Sequence, residues 1–146
     1  MKLSTRTRYG TRAILELALH YGSGPLQTRQ IAERHGISVK YLEQLMGLLR
    51  STGLIRSVRG AKGGYLLARP PSQIRVGEVF RALEGSVLMV ECLQDQQYCR
   101  LVSDCIARQL WARVQRGIDA VIDTLTLQDL IEQAQEARKE TFDYQI

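Results

Sequence analysis

A mainly α-helical fold with one small β-hairpin is what the 146-residue sequence predicts. Three observations predict it. Apolar residues recur at three- and four-residue spacing through most of the chain. Two short segments of that pattern meet at a tight glycine-containing turn, His35-Gly36. A basic, glycine-rich stretch from Arg59 to Gly64 then separates two short runs of strand-forming residues.

The first helix is expected from Ser4 or Thr5 to about Tyr21, on Tyr9, Ala13, Ile14, Leu17 and Ala18, and Gly22-Ser23-Gly24-Pro25 stops it. Thr28 is expected to cap a short second helix with Ile31 and Ala32 inward; Gly36 ends it by taking the left-handed turn. Ser38 caps a third helix through about Arg50, with Val39, Leu42, Leu45, Met46 and Leu49 as its apolar stripe and Gly53 as its stop. Leu54 to Val58 and Tyr65 to Leu67 read as strands around the glycine-rich loop. Two short helices, a tight turn and a following hairpin make a winged helix-turn-helix.

Pro70 and Pro71 close that unit, and a further short helix lies between Ser72 and Leu83 with Val76, Val79, Phe80 and Leu83 inward. Gly85 to Asp104 shows no sustained period and reads mostly as a loop. From Cys105 the helical pattern returns, with Ile106, Leu110, Val114, Ile118, Val121 and Leu125 every three or four residues. Thr126 with Asp129 is a capping box for a short last helix, Leu127 to Ala137, and the remainder is expected to fray. The predicted organisation is a DNA-binding unit at 1–84, a cysteine-bearing loop at 85–105, a dimerisation helix with a short terminal helix at 106–137, and a tail at 138–146.

Charge divides the chain unevenly. Residues 1–70 hold 12 Lys/Arg against 3 Asp/Glu, a net of +9, and residues 71–146 hold 8 against 12, a net of −4, which together give the overall +5. A basic half joined to an acidic half suggests one polyanion surface, although a generally basic soluble protein has the same count. Position decides between them, because DNA binding needs the cations on one face. Hydrophobic residues make up 45%, enough for a core. No apolar run approaches the roughly 20 residues of a membrane span, and the N-terminal segment has no apolar signal stretch, so the expected location is cytoplasmic, with no membrane partner.

On the third helix Ser38, Lys40, Tyr41, Glu43, Gln44 and Arg50 lie off the apolar stripe. Residues at the start of a recognition helix meet base edges in the major groove. Gln44 has the amide geometry for adenine, Glu43 can accept from a cytosine amino group, and Lys40 and Tyr41 can reach phosphate or base edges. In the wing, Arg56, Arg59 and Lys62 stand among glycines, and Arg59 at the tip suits a narrow minor groove. One such unit reads a half-site, so two are needed on a double-stranded DNA operator. The stripe from Ile106 through Leu110, Val114, Ile118 and Val121 to Leu125 is too apolar to stay exposed. It packs either back on the winged unit or on a second copy, and a homodimer is the preferred expectation because the chain lacks a second domain to cover it.

Cys92, Cys99 and Cys105 fall within 14 consecutive residues at a C-x6-C-x5-C spacing. That is not the spacing of structural zinc sites or common ferredoxins, and by itself it leaves a metal site, a thiol redox sensor and inert thiols all open.

Three strings of this sequence resemble the Rrf-two (Rrf2) family of winged-helix transcription regulators. They are the opening Met1-Lys2-Leu3-Ser4-Thr5-Arg6-Thr7-Arg8-Tyr9-Gly10, the helix-turn-helix string from Ile31 to Leu45, and the wing from Val58 to Leu67. Within that family the three loop cysteines resemble those of the iron–sulfur-cluster-assembly regulators. The resemblance implies a homodimer, an iron–sulfur cluster on Cys92, Cys99 and Cys105 (2Fe–2S, or 4Fe–4S as in some relatives), and control of cluster-biogenesis genes. The chain departs from the pattern in two ways. Its first gap is one residue longer, and Arg108 stands where the pattern has a histidine ligand; Arg8 stands where other members place an acid. Glu91, Asp95 and Asp104 are local oxygen candidates for the fourth position. The alternative functions are a cluster-free regulator answering to thiol redox state or a partner enzyme, and an iron–sulfur carrier, which would have no use for a base-reading helix. An enzyme is not expected, since the sequence shows no nucleophile–base pair, phosphate loop or paired carboxylates.

Overall fold

A computed structural model describes residues 2–144. Helix α1 (Thr5–Leu19) starts where its cap predicts, with the Ser4 hydroxyl accepting the Thr7 N–H at 3.2 Å. Its inner face, Ala13, Ile14, Leu17 and Ala18, lies in the core. Gly10 permits close approach to the fourth helix: a Cβ there would stand 2.6 Å from the Leu83 methyl groups.

Helix α2 (Thr28–His35) begins one residue earlier than expected, at Thr28 itself. Gln27, not Thr28, is the capping position, and the Gln30 side-chain oxygen accepts the Gln27 N–H at 3.3 Å. The cause is non-local. Leu26 exchanges two main-chain hydrogen bonds with Tyr65, at 2.9 and 2.8 Å, so the chain leaves an extended conformation immediately before Gln27. Gly36 ends the helix at φ 64°. Helix α3 (Val39–Ser51) is capped by the Ser38 hydroxyl, which accepts the Tyr41 N–H at 3.0 Å. Leu42, Leu45, Met46 and Leu49 are buried as the spacing predicts. Val39 is 44% exposed instead, because at the first helical position it precedes the turns that reach the core.

Strands β1 (Ile55–Val58) and β2 (Gly64–Leu67) pair antiparallel from Ile55↔Leu67 to Val58↔Gly64. The helix expected between Ser72 and Leu83 is α4 (Val76–Glu84), preceded by a 3-10 turn, Pro71–Gln73, and by extended Ile74 and Arg75. The backbone between turn and helix is engaged elsewhere: the Leu127 N–H donates to Ile74 and the Val76 N–H to Leu125, both at 2.9 Å. Val76, Val79 and Leu83 are buried, whereas Phe80 is only half-buried.

Helix α5 (Ile106–Ile122) stops before Leu125, which lies in the following turn. Helix α6 (Leu127–Asp143) has its capping box formed in both directions, Thr126 N–H to Asp129 at 2.8 Å and Asp129 N–H to Thr126 at 3.1 Å. It continues to Asp143 rather than ending near Ala137; residues 145 and 146 of the expected tail lie outside the described residues. Leu127 and Ile131 join the same buried cluster as Ile14 and Leu17 of α1. The chain thus leaves the winged unit along α5 and returns to it in α6.

Candidate nucleic-acid interface and cysteine loop

The polar face predicted for α3 is present. Ser38, Lys40, Glu43, Gln44 and Arg50 are exposed. Tyr41 is half-buried and meets the Tyr9 ring edge-on, with centroids 6.3 Å apart, and the Arg12 guanidinium lies 5.6 Å from the Tyr9 ring centre. The basic N-terminal half of α1, with Arg6, Arg8 and Arg12 exposed, therefore adjoins the first turn of α3. Sequence reading placed Tyr9 in the helix stripe and passed over Arg12; the cluster of three arginines in the first helix was the available signal.

Arg56 lies exposed on β1, and Arg59 and Lys62 are exposed in the turn between the strands. That turn is fixed by close approaches only glycine allows. A Cβ on Gly64 would stand 2.0 Å from the Leu26 carbonyl oxygen, and one on Gly63 2.1 Å from that of Val58. The Gln27 amide donates to the Ala61 carbonyl at 3.3 Å, which ties the turn to the start of α2.

The basic half has three carboxylates, and among the described residues none forms a salt bridge with an α3 or wing cation. Glu33 pairs with Arg29 at 3.0 Å, and Glu16 faces Arg34 and His35. Glu43 accepts the Tyr65 hydroxyl at 2.6 Å. Burial, and then this bond to a carboxylate, push the Tyr65 phenol up to about 12. Among the described residues Lys40, Arg50, Arg56, Arg59 and Lys62 are exposed and in no salt bridge. The tie between Glu43 and Tyr65 was not legible in the sequence.

In the loop, Cys92 is half-buried in a 3-10 turn (Glu91–Leu93), Cys99 is exposed, and Cys105 is half-buried as the cap of α5; all three are free thiols. The Arg108 N–H points at the Cys105 sulfur at 3.4 Å, and the Arg108 guanidinium donates to the Cys92 carbonyl at 3.1 Å. Upstream, the buried Gln115 of α5 clamps the loop's first residues. Its oxygen accepts the Met89 N–H at 2.8 Å, and its nitrogen donates to the Val87 carbonyl at 3.2 Å and to Asp119 at 3.0 Å. Gln115 falls among polar wheel positions in the sequence, which hides its role. Among the described residues no three His, Cys, Asp or Glu side chains are gathered to hold a metal ion. The three thiols, which the sequence resemblance names as cluster ligands, are not gathered with a further His, Asp or Glu among the described residues, and Arg108 is a guanidinium cation with no lone pair to offer a metal.

Of the predicted dimer stripe, Ile106 is 83% and Leu110 52% exposed, Val114 and Val121 are exposed, and Ile118 is half-buried. Leu125 is held in the turn beyond the helix, with its carbonyl taken by Val76. The far end of α5 is anchored to α4. Arg81 forms a two-pronged pair with Asp123 at 2.8 and 2.9 Å, and Arg75 donates to the Asp123 carbonyl at 2.6 Å. The hydrogen-bonded guanidinium holds the Asp123 carboxyl below its usual range and is itself raised by it. Among the described residues no helix is long and apolar enough to cross a membrane.

A family model described as "Rrf2: Iron-dependent Transcriptional regulator" matches residues 3–133. Protein rrf2 of Nitratidesulfovibrio vulgaris is 43% identical over 134 residues, spanning 92% of this chain and 89% of that protein. The solved structure of CymR, the global cysteine regulator of B. subtilis, superposes with a TM-score of 0.78 at 40% identity, over 91% of this chain and 98% of that one. That of T. potens IscR superposes with a TM-score of 0.77 at 42% identity, over 94% and 90%.

Proposed function

The chain belongs to the Rrf2 family of transcription regulators, and from that premise we propose that it acts as a homodimer reading a two-part operator with α3 and the wing and receiving its signal through the loop of Cys92, Cys99 and Cys105. It is a regulator, as its relatives are, and not an enzyme. The observation that carries the DNA reading is the exposure of Lys40, Arg50, Arg56, Arg59 and Lys62 on α3 and the wing, outside any salt bridge among the described residues, with Gln44 and Glu43 exposed on the same helix. The dimer follows from the exposed apolar stripe of α5, which a second copy would cover through the same residues on both sides. The operator should be a pseudo-palindrome of roughly 25 base pairs, from two half-sites about one turn apart with flanks. Equal affinity for a selected site and for random DNA at moderate salt would reject the assignment.

The finer reading is that the three cysteines take up an iron–sulfur cluster and that the genes controlled serve cluster biogenesis. The iron-dependent description of the family and the resemblance of the loop support it. A second reading, a response to thiol state with no cluster, is favoured by Arg108 at the place of the fourth ligand and by the exposure of Cys99. The visible absorption, iron and sulfide content of protein purified without oxygen separate the two. A triple Cys→Ala variant should keep operator binding yet lose its response to the signal; an unchanged response would remove the loop from sensing.

A further inference from the structure

We propose that Tyr65 is a specificity-setting residue: its phenol holds the Glu43 carboxylate in place, so that base selection by α3 is set jointly by the helix and the wing strand. This rests on the reading of α3 as the base-contacting helix.

Tyr65 is 7% exposed and is immobilised by its own backbone. It pairs with Ser57 across the hairpin and exchanges both main-chain hydrogen bonds with Leu26, beside a Gly64 that admits no side chain. From that rigid mount its hydroxyl donates to Glu43 Oε2 at 2.6 Å, across 22 residues of sequence. Glu43 is otherwise an exposed side chain on a helix surface. An exposed glutamate has several rotamers of similar energy and would move away from an unfavourable base edge. Tied at one oxygen, it becomes a fixed negative charge with acceptor capacity remaining. A fixed carboxylate accepts from a cytosine amino group, and it is repelled by the O6 and N7 of guanine or the O4 of thymine. Selectivity then comes from the penalty on wrong bases, which a mobile carboxylate would not exact.

The test is a competition assay with duplexes that differ at single operator positions, on the dimer as purified. Wild-type protein should separate cytosine from guanine at one half-site position by on the order of tenfold, the size of one base contact. Tyr65→Phe, which removes only the hydroxyl, should bring that ratio to about threefold or less. Its affinity for random DNA should not change. Glu43→Asp keeps the charge but shortens the side chain out of the phenol's reach, on an exposed surface that tolerates the change; it should relax the same position. In a Glu43→Ala background Tyr65→Phe should have no further effect. Wild-type discrimination retained by Tyr65→Phe or by Glu43→Asp would overturn the proposal. So would a Tyr65→Phe effect that persists undiminished in the Glu43→Ala background. A wild-type protein with no preference among sequences would instead remove the DNA-reading assignment beneath it.

Discussion

Arg59 occupies the turn of the wing, exposed and in no salt bridge among the described residues, on a loop whose glycines allow close approach to a backbone. Arg59→Ala should weaken operator binding by about 1–3 kcal/mol if the side chain enters a groove. A purely phosphate contact would instead lower affinity evenly across sequences and flatten the salt dependence by about one counterion. Titrations of operator and random duplexes at several salt concentrations distinguish the two, and an unchanged affinity for both removes Arg59 from the interface. Gln115 works at the same scale but within the fold. Gln115→Leu would leave the Met89 N–H and Val87 carbonyl without their partners at a half-buried site, at a cost of about 1–3 kcal/mol. Faster amide exchange at Met89 is the expected signature; wild-type protection there would show that the clamp does not order the loop.

Helix α5 is held along one face and bare along another. Gln115 and Arg108 bind it to the loop, and Asp123 binds it to Arg81 and Arg75. Gly77 lies so near this anchor that a Cβ would stand 2.2 Å from the Asp123 carboxylate. The exposed apolar face, Leu110 and Val114 included, is the one proposed to meet a second copy. Leu110→Glu sets two like charges near each other in a symmetric contact, and the protein should sediment as a monomer with operator affinity sharply reduced. Dimers at micromolar concentration would place the interface elsewhere. Helix α6 corrects the expectation of a short terminal element, because Leu127 and Ile131 continue the α1 core and the helix then extends past it. Its capping box was legible as Thr126 with Asp129, two residues read from a local rule. Its destination was not, since no local rule says which surface an apolar face will meet.

Across the whole molecule several acid groups that fix elements in place have lowered pKa values. Asp123 is held low by Arg81, and Asp129 by the Thr126 N–H. Glu78 is low although burial opposes its ionisation, because the Arg75 N–H and Arg69 guanidinium outweigh that. The folded chain therefore binds these protons more weakly than the unfolded chain does. Their support is complete above the ordinary values of 3.8 and 4.5 and is lost as pH falls through the lowered ones. The melting temperature should decline below about pH 4. Because these side chains are partly solvated, the decline should be gradual, and a midpoint unchanged between pH 5 and pH 3 would contradict it.

By itself the sequence determined the elements and the ends that local chemistry controls. Ser4 and Ser38 cap their helices and Gly36 takes its left-handed turn because each needs only neighbours within four residues, and the glycine-rich basic stretch forms the hairpin because its strands lie next to each other in the chain. The polar face of α3 was likewise readable from a 3.6-residue period. Tertiary structure alone decided the cap at Gln27, the tie of Tyr65 to Glu43, the grip of Gln115 on Val87 and Met89, the engagement of Arg108 with Cys92, and the return of α6 to α1. Most of these contacts join residues more than ten apart in the chain. Whether two such groups meet depends on where packing sends the intervening backbone, and polar side chains that meet this way carry no periodic mark in the sequence.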